Sequence, residues 1–252
     1  MTKIKKVTLQ SVPLKNLQEQ FNTVNAMYQN DLIIDSIKPL CQNNIFTFKN
    51  DVHRSDERSP MSAKFFNNCV QYLAMFRSRS YHFLLFDASI IRFYYKFDNA
   101  NKLESYNLLW FPCPFNEQVV KIFGEGRQDL YNFLDDLSNE DKFSFGDFEF
   151  RTPIRVDYDA LYSGTKKDFH PTSHIHFQNT NTRAKNNNIF CIYTFMAFII
   201  ENCYPEKNAE YHNQENNLNG RMRAEKSSWL KINQINDEKI GLGNKIFTNY
   251  HF

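Results

Sequence analysis

A chain of 252 residues with 42% apolar and 16% aromatic content, including 25 Phe and 13 Tyr, can bury a large core, which excludes global disorder. Its 30 basic and 28 acidic side chains sum to +2, so bulk charge does not hold nucleic acid and any such contact is a local patch. No run reaches the roughly 18 apolar residues of a membrane span, the opening MTKIKKVTLQSVPLKNLQEQ has no apolar signal core, and Cys41, Cys69, Cys113, Cys191 and Cys203 form no CxxC pair.

These features lead us to expect a cytoplasmic protein in a reducing compartment, without disulfides and without a membrane partner. The abundance of Asn, Lys, Ile and Phe beside few Gly is the composition of an AT-rich genome and points to a low-GC bacterium.

In chain order, Leu17, Phe21, Val24 and Met27 recur at helical spacing, and the pattern runs on through Leu32 and Ile37, which predicts a helix over 14–40. Residues 46–59 read as a polar loop. A second helix is expected from Ser59 and Pro60, through Phe65, Val70, Leu73 and Met75, to Arg77. Tyr81–Phe86 and Ser89–Phe97 flank Asp87-Ala88 as a tight hairpin. The poor alternation of IIRFYYKF predicts a strand buried on both faces. A third strand, 104–111, ends at Pro112 and Pro114.

Residues 116–137 are expected to be mainly helical, interrupted at Gly124 and Gly126. Strands follow at 147–158 and 174–177, separated by a loop over 159–173. The apolar run 189–204 predicts a buried helix that stops before Pro205, and a polar helical tail containing Trp229 follows. The sum is one α+β domain over 1–252, built on a mainly antiparallel, curved sheet of about five strands. Its parts are a helical 1–78, a sheet core 79–205 and a helical, polar 206–252.

The segment RTPIRVDYDALYSGTKKDFHPTSHIHFQNTNTR carries the chemistry. His170, His174 and His176 fall within seven positions, downstream of Arg155, Asp157 and Asp159. Alternate residues of a strand share a face. If the two strands pair, Arg155, Asp157, His174 and His176 therefore meet on one patch of sheet. Two imidazoles with a carboxylate (Asp157, Asp159 or Asp168) are a ligand set for Zn²⁺ or another transition ion. Without a metal, the same groups suit acid–base chemistry, one His taking a proton and another giving one. Arg155 or Arg183 would then neutralise phosphate charge. RNA brings its own 2′-hydroxyl nucleophile, so protons and positive charge suffice to cleave it. Lys166 and Lys167 are the nearest cations for a substrate rim. The bland reading of the same residues is a cross-strand ion pair beside hydrogen-bonded core histidines.

RVDYD, HPTSHIHF, the downstream Arg183 and FMAFIIENCYP together resemble an uncharacterised prokaryotic family of unknown function. Its members carry R-x-D-Y-D, then H-P-x-S-H-x-H, then an apolar helix ending in an F-Y-P-like turn. Here these positions are Arg155, Asp157, Tyr158, Asp159, His170, Pro171, Ser173, His174, His176 and Tyr204-Pro205. Cys203 stands where Phe is expected, at what reads as a packing position. The upstream strands FLLFDASIIRFYYKF and NLLWFPCPF are similar to that family too, so the resemblance covers roughly residues 80–205. The chain also resembles, more loosely, His-rich bacterial toxins regarded as nucleases. This resemblance implies a nuclease-like protein of a toxin–antitoxin or antiphage defence system, cleaving RNA with no cofactor or with a divalent metal. The rival expectation is a non-catalytic subunit that binds an antitoxin or a defence protein, with the polar tail from 206 as its docking segment.

Other cationic stretches carry less. Arg54 to Arg58, Arg77 with Arg79, and Arg221 with Arg223 and Lys226 read as solvated ends rather than phosphate contacts. Gly124-Glu125-Gly126 lacks the GK[ST] ending of a phosphate loop.

Overall fold

The computed structural model describes residues 12–29, 31–49, 68–116, 132, 148–149, 151–160, 173–177, 183–186 and 189–213. The first element is helix α1 (Val12–Tyr28). Leu14, Leu17, Phe21, Val24 and Tyr28 form its buried stripe at the 3–4 residue spacing of a helix face. It stops well short of residue 40. β1 (Ile33–Ser36), β2 (Leu40–Gln42) and β3 (Ile45–Thr47) take over. This corrects both the long helix over 14–40 and the wholly helical reading of 1–78. The β-branched pair Ile33-Ile34 suits a pleated surface, and β1 finds a partner strand in β4.

α2 (Asn68–Arg77) agrees with the end of the expected second helix, whose start at Ser59 and Pro60 lies outside the described residues. β4 (Phe83–Leu85) and β5 (Ile90–Phe97) form the expected hairpin, and β6 (Leu103–Phe111) ends before Pro112. β7 (Ile154–Asp159) begins later than the sequence suggests, and β8 (Ser173–Phe177) follows the loop region. β9 (Arg183–Lys185) was not anticipated. α3 (Ile192–Cys203) is the buried apolar helix, and α4 (Pro205–Asn213) begins at the proline that ends it. The expectations at 116–137, including Gly124 and Gly126, and at Trp229 lie outside the described residues.

The described strands form one sheet in the order β1-β4-β5-β6-β7-β8-β9, with β3 also pairing β5 and β2 pairing β3. Every pairing is antiparallel. The five strands expected from the sequence are the middle of this path, β4 to β8. β5 is buried along both faces at every position except Lys96. One face of the sheet, carrying Phe93, Tyr95, Leu108, Trp110, Val156 and Ile175, joins α1 and α3 in the main core. The other face, carrying Leu84, Ile90, Leu109 and Phe111, joins Tyr72, Met75 and Phe76 of α2 in a second core.

Two polar side chains are built into these cores. His82 precedes β4, ringed by Phe21, Phe46, Phe48 and Phe93. Its Nδ1 accepts the Phe93 N–H at 3.1 Å, in the interval between the pairings of β5 with β4 and with β3. Burial pushes the His82 imidazole down to about 3, and the Arg92 charge adds to the shift, so it is neutral. Asp87, in the β4–β5 turn, gathers the Arg151 guanidinium at 2.7 Å, the Tyr204 hydroxyl at 3.1 Å and the backbone N–H of Ser89 at 3.0 Å. The Tyr204 hydroxyl also accepts the Trp110 indole N–H at 3.1 Å. The turn is thereby clasped to β6, to the approach to β7 and to the end of α3.

Candidate functional site

The two site strands lie side by side, as expected, and antiparallel register aligns their residues into rows across the sheet. One row is Arg92–Leu109–Arg155–His176–Arg183; the next is Tyr94–Asn107–Asp157–His174–Lys185. Both rows stand on the face of the sheet that carries the second core, because Leu109 is a member of each set. The apolar residues between them, Val156 and Ile175, point into the main core. A strict two-residue period thus sends Arg155, Asp157, His174 and His176 together to one side.

Asp157 is the centre. Its Oδ2 receives Arg155 Nε at 2.9 Å and faces His176 Nε2 at 3.2 Å and His174 Nε2 at 3.7 Å. Its Oδ1 accepts from the Asn107 amide at 2.5 Å. The two imidazoles meet edge to face with centroids 4.7 Å apart. Arg155, His174 and His176 are 5%, 2% and 1% exposed. Burial by itself raises the Asp157 carboxyl. The hydrogen bond from His176 and the charges of Arg155, His176 and His174 outweigh that effect and hold it at about 2. Asp157 is therefore an anion at any ordinary pH. His176 Nδ1 is buried with no hydrogen-bond partner, and a buried polar atom of this kind calls for an explanation.

Asp157, His174 and His176 form a group that could hold a metal ion: one ligating atom from each lies within 4.8 Å of the others. A tetrahedral ion with bonds of about 2.0–2.1 Å sets its ligand atoms about 3.4 Å apart, and the 3.2 and 3.7 Å separations straddle that value. The two histidines stand two residues apart on one strand, and the carboxylate comes from the next strand. The backbone geometry therefore presents the three groups without help from a loop.

The other expected site residues divide. Arg155 is present, but its Nε serves Asp157, so its first task is to hold that carboxylate rather than a phosphate. Asp159 shares the face of Asp157 and pairs with Ser105, one row away from the ligand group. Arg183 sits in register with His176 on β9. His170, Asp168, Lys166 and Lys167 lie outside the described residues.

Asn107 was missed. The signal for it was weak but real: a lone amide in the otherwise apolar second half of LESYNLLWF, at a position whose neighbours Leu108 and Tyr106 are core. A second hidden contribution lies behind β8. The Ser173 hydroxyl accepts from Asn186 Nδ2 at 3.1 Å and meets the Tyr106 hydroxyl at 3.4 Å, while Asn186 N–H bonds the Ser173 carbonyl at 3.0 Å. These bonds tie down the start of the strand that carries both histidines.

A family model described as "Uncharacterized conserved protein (DUF2290)" matches residues 32–239, which include every strand and the whole ligand group. No curated protein and no solved structure matches the chain. Among the described residues, no helix is long and apolar enough to cross a membrane.

Proposed function

The chain belongs to the DUF2290 family of uncharacterised conserved proteins, and we propose that it is a metal-assisted hydrolase of the nuclease type, acting on phosphodiester bonds with RNA as the substrate class. The observation that carries this reading is the convergence of His174 Nε2 and His176 Nε2 on one oxygen of Asp157, at the separations of ligands around a small ion. Three protein ligands with a position left over are the composition of a catalytic rather than a structural zinc-type site.

Charge selects the substrate. Asp157 and Arg155 cancel, so a divalent ion would leave the site at +2, and a buried site of that charge calls for an anion. A phosphodiester supplies one. In RNA the 2′-hydroxyl oxygen attacks phosphorus, the bond to the 5′-oxygen breaks, and the proton lost by the nucleophile is regained by the leaving oxygen. The ion would supply Lewis acidity for the phosphoryl oxygen. Asn107 and Arg155 keep the Asp157 carboxylate aimed, and burial of both imidazoles excludes bulk water.

The test is cleavage of single-stranded RNA by the purified protein, with and without a chelator. Cleavage that requires Zn²⁺ or Mn²⁺ and disappears in His174→Ala and His176→Ala, with near-UV circular dichroism unchanged, is the expected result. Intact cleavage by either variant overturns the assignment. The toxin or defence setting is tested by expression in a bacterial host, where growth arrest should be relieved by His174→Ala.

The near-complete burial of both imidazoles favours one second reading, a structural polar network in a non-catalytic subunit. On that reading the same substitutions unfold the protein, and no RNA is cleaved by the wild type.

A further inference from the structure

The two oxygens of Asp157 are divided between different neighbours. Oδ2 faces Arg155, His174 and His176, while Oδ1 accepts only from the Asn107 amide among the contacts the structure gives it. Asn107 is directly opposite Asp157 in the β6–β7 register, although 50 residues separate them in the chain. An ionised carboxylate can only accept, so the amide must turn its NH₂ and not its carbonyl towards it. A carboxylate free to rotate can offer a cation one oxygen or both. With Oδ1 engaged by a neighbouring strand, Asp157 has one to offer.

Resting on the metal reading above, we propose that Asn107 is a positioning residue of the metal centre, holding Asp157 as a one-oxygen ligand so that a bound ion keeps a low coordination number and an open position. The consequence is a choice of ion. Two imidazole nitrogens and a single carboxylate oxygen suit borderline ions such as Zn²⁺ and Co²⁺. Ca²⁺ and Mg²⁺ want six or more oxygens. Release of Oδ1 would let the carboxylate turn to two-oxygen ligation, fill the open position and shift the preference towards oxygen-seeking ions. Sheet geometry thus sets the ligand mode from the strand on the far side of Asp157 from the histidines.

Co²⁺ is the probe, because its visible absorption is intense at four- or five-coordinate sites and weak at six-coordinate ones. The wild-type chain should bind one Co²⁺ with intense visible bands. Asn107→Ala and Asn107→Leu, the latter of nearly the same shape with no donor, should bind it roughly 10- to 100-fold more weakly and with fainter bands. Variants with the wild-type spectrum and affinity overturn the role of Asn107 and leave the metal reading standing. A wild-type chain that takes up no Co²⁺ overturns the metal reading and this inference with it. X-ray absorption on the Zn²⁺-loaded wild type gives a check that needs no variant: a carboxylate bound through both oxygens overturns the inference, and a one-oxygen carboxylate supports it.

Discussion

His176 lies closer to Asp157 than His174 does, 3.2 Å against 3.7 Å between Nε2 and Oδ2, although it is His174 that stands opposite Asp157 in the strand register. His176 is the diagonal neighbour, paired instead with Arg155. Diagonal neighbours on a twisted antiparallel pair remain within reach of long side chains. The diagonal brings all four groups of the square formed by Arg155, Asp157, His174 and His176 onto one oxygen atom.

Asp157 balances a buried guanidinium, so its removal should be costly apart from any metal. In Asp157→Asn the Arg155 charge stays 5% exposed with no anion at Oδ2. We expect a loss of about 3–5 kcal/mol, read as a lower midpoint in urea denaturation of the metal-free protein. A change below about 0.5 kcal/mol would mean that Arg155 is compensated elsewhere.

His82 should make the fold acid-sensitive. Its folded-state pKa, about 3 against an ordinary 6.5, is depressed by burial first and then by Arg92. For a base with a depressed pKa, the unfolded chain binds the extra proton. Stability is therefore full above pH 6.5 and falls by about 1.4 kcal/mol per pH unit between 6.5 and 3. His82→Phe should flatten that part of the curve. It should also cost about 1–3 kcal/mol at pH 7, because the Phe93 N–H loses its acceptor. Denaturation midpoints for both proteins at pH 7, 5.5 and 4 are the check, and parallel curves would refute the assignment.

Tyr204→Phe removes the atom that joins Asp87 to Trp110. The Trp110 indole N–H is left without the acceptor it has at 3.1 Å, in a residue only 5% exposed. A buried donor left unmade costs about 1–3 kcal/mol, and the shape of the ring is retained. The loss should appear in thermal unfolding, accompanied by a shift in Trp fluorescence, with metal binding unchanged.

Gln20 links α1 to α3. Its Oε1 accepts the Ile192 N–H at 3.2 Å, across 172 residues of chain, while the side chain is almost wholly buried. Gln20→Leu keeps the volume and strands that first-turn N–H of α3. We expect destabilisation of about 1–2 kcal/mol by urea denaturation, with faster hydrogen exchange at the start of α3. Unchanged exchange there would show that the bond contributes nothing.

Local pattern determined a good deal about this protein by itself. The hairpin around Asp87, the strand ending at Pro112, the buried helix before Pro205 and the clustering of Asp157, His174 and His176 all follow from two-residue or helical periodicity and from proline. These signals act over a few neighbouring residues, and the chain prints them in order. The stretch 32–47 defeated the same reasoning, because a short apolar run after a genuine helix fits either element until a partner strand is known. Only the tertiary structure decided that β1 pairs with β4, that His82 caps a gap in the pairing of β5, and that Arg155 serves Asp157 first. Only register, which no local residue encodes, brought Asn107 to the far oxygen of Asp157. Periodicity selects the face on which a side chain stands; the neighbour it meets there depends on how strands far apart in sequence align, and that is settled by the packing of the whole sheet.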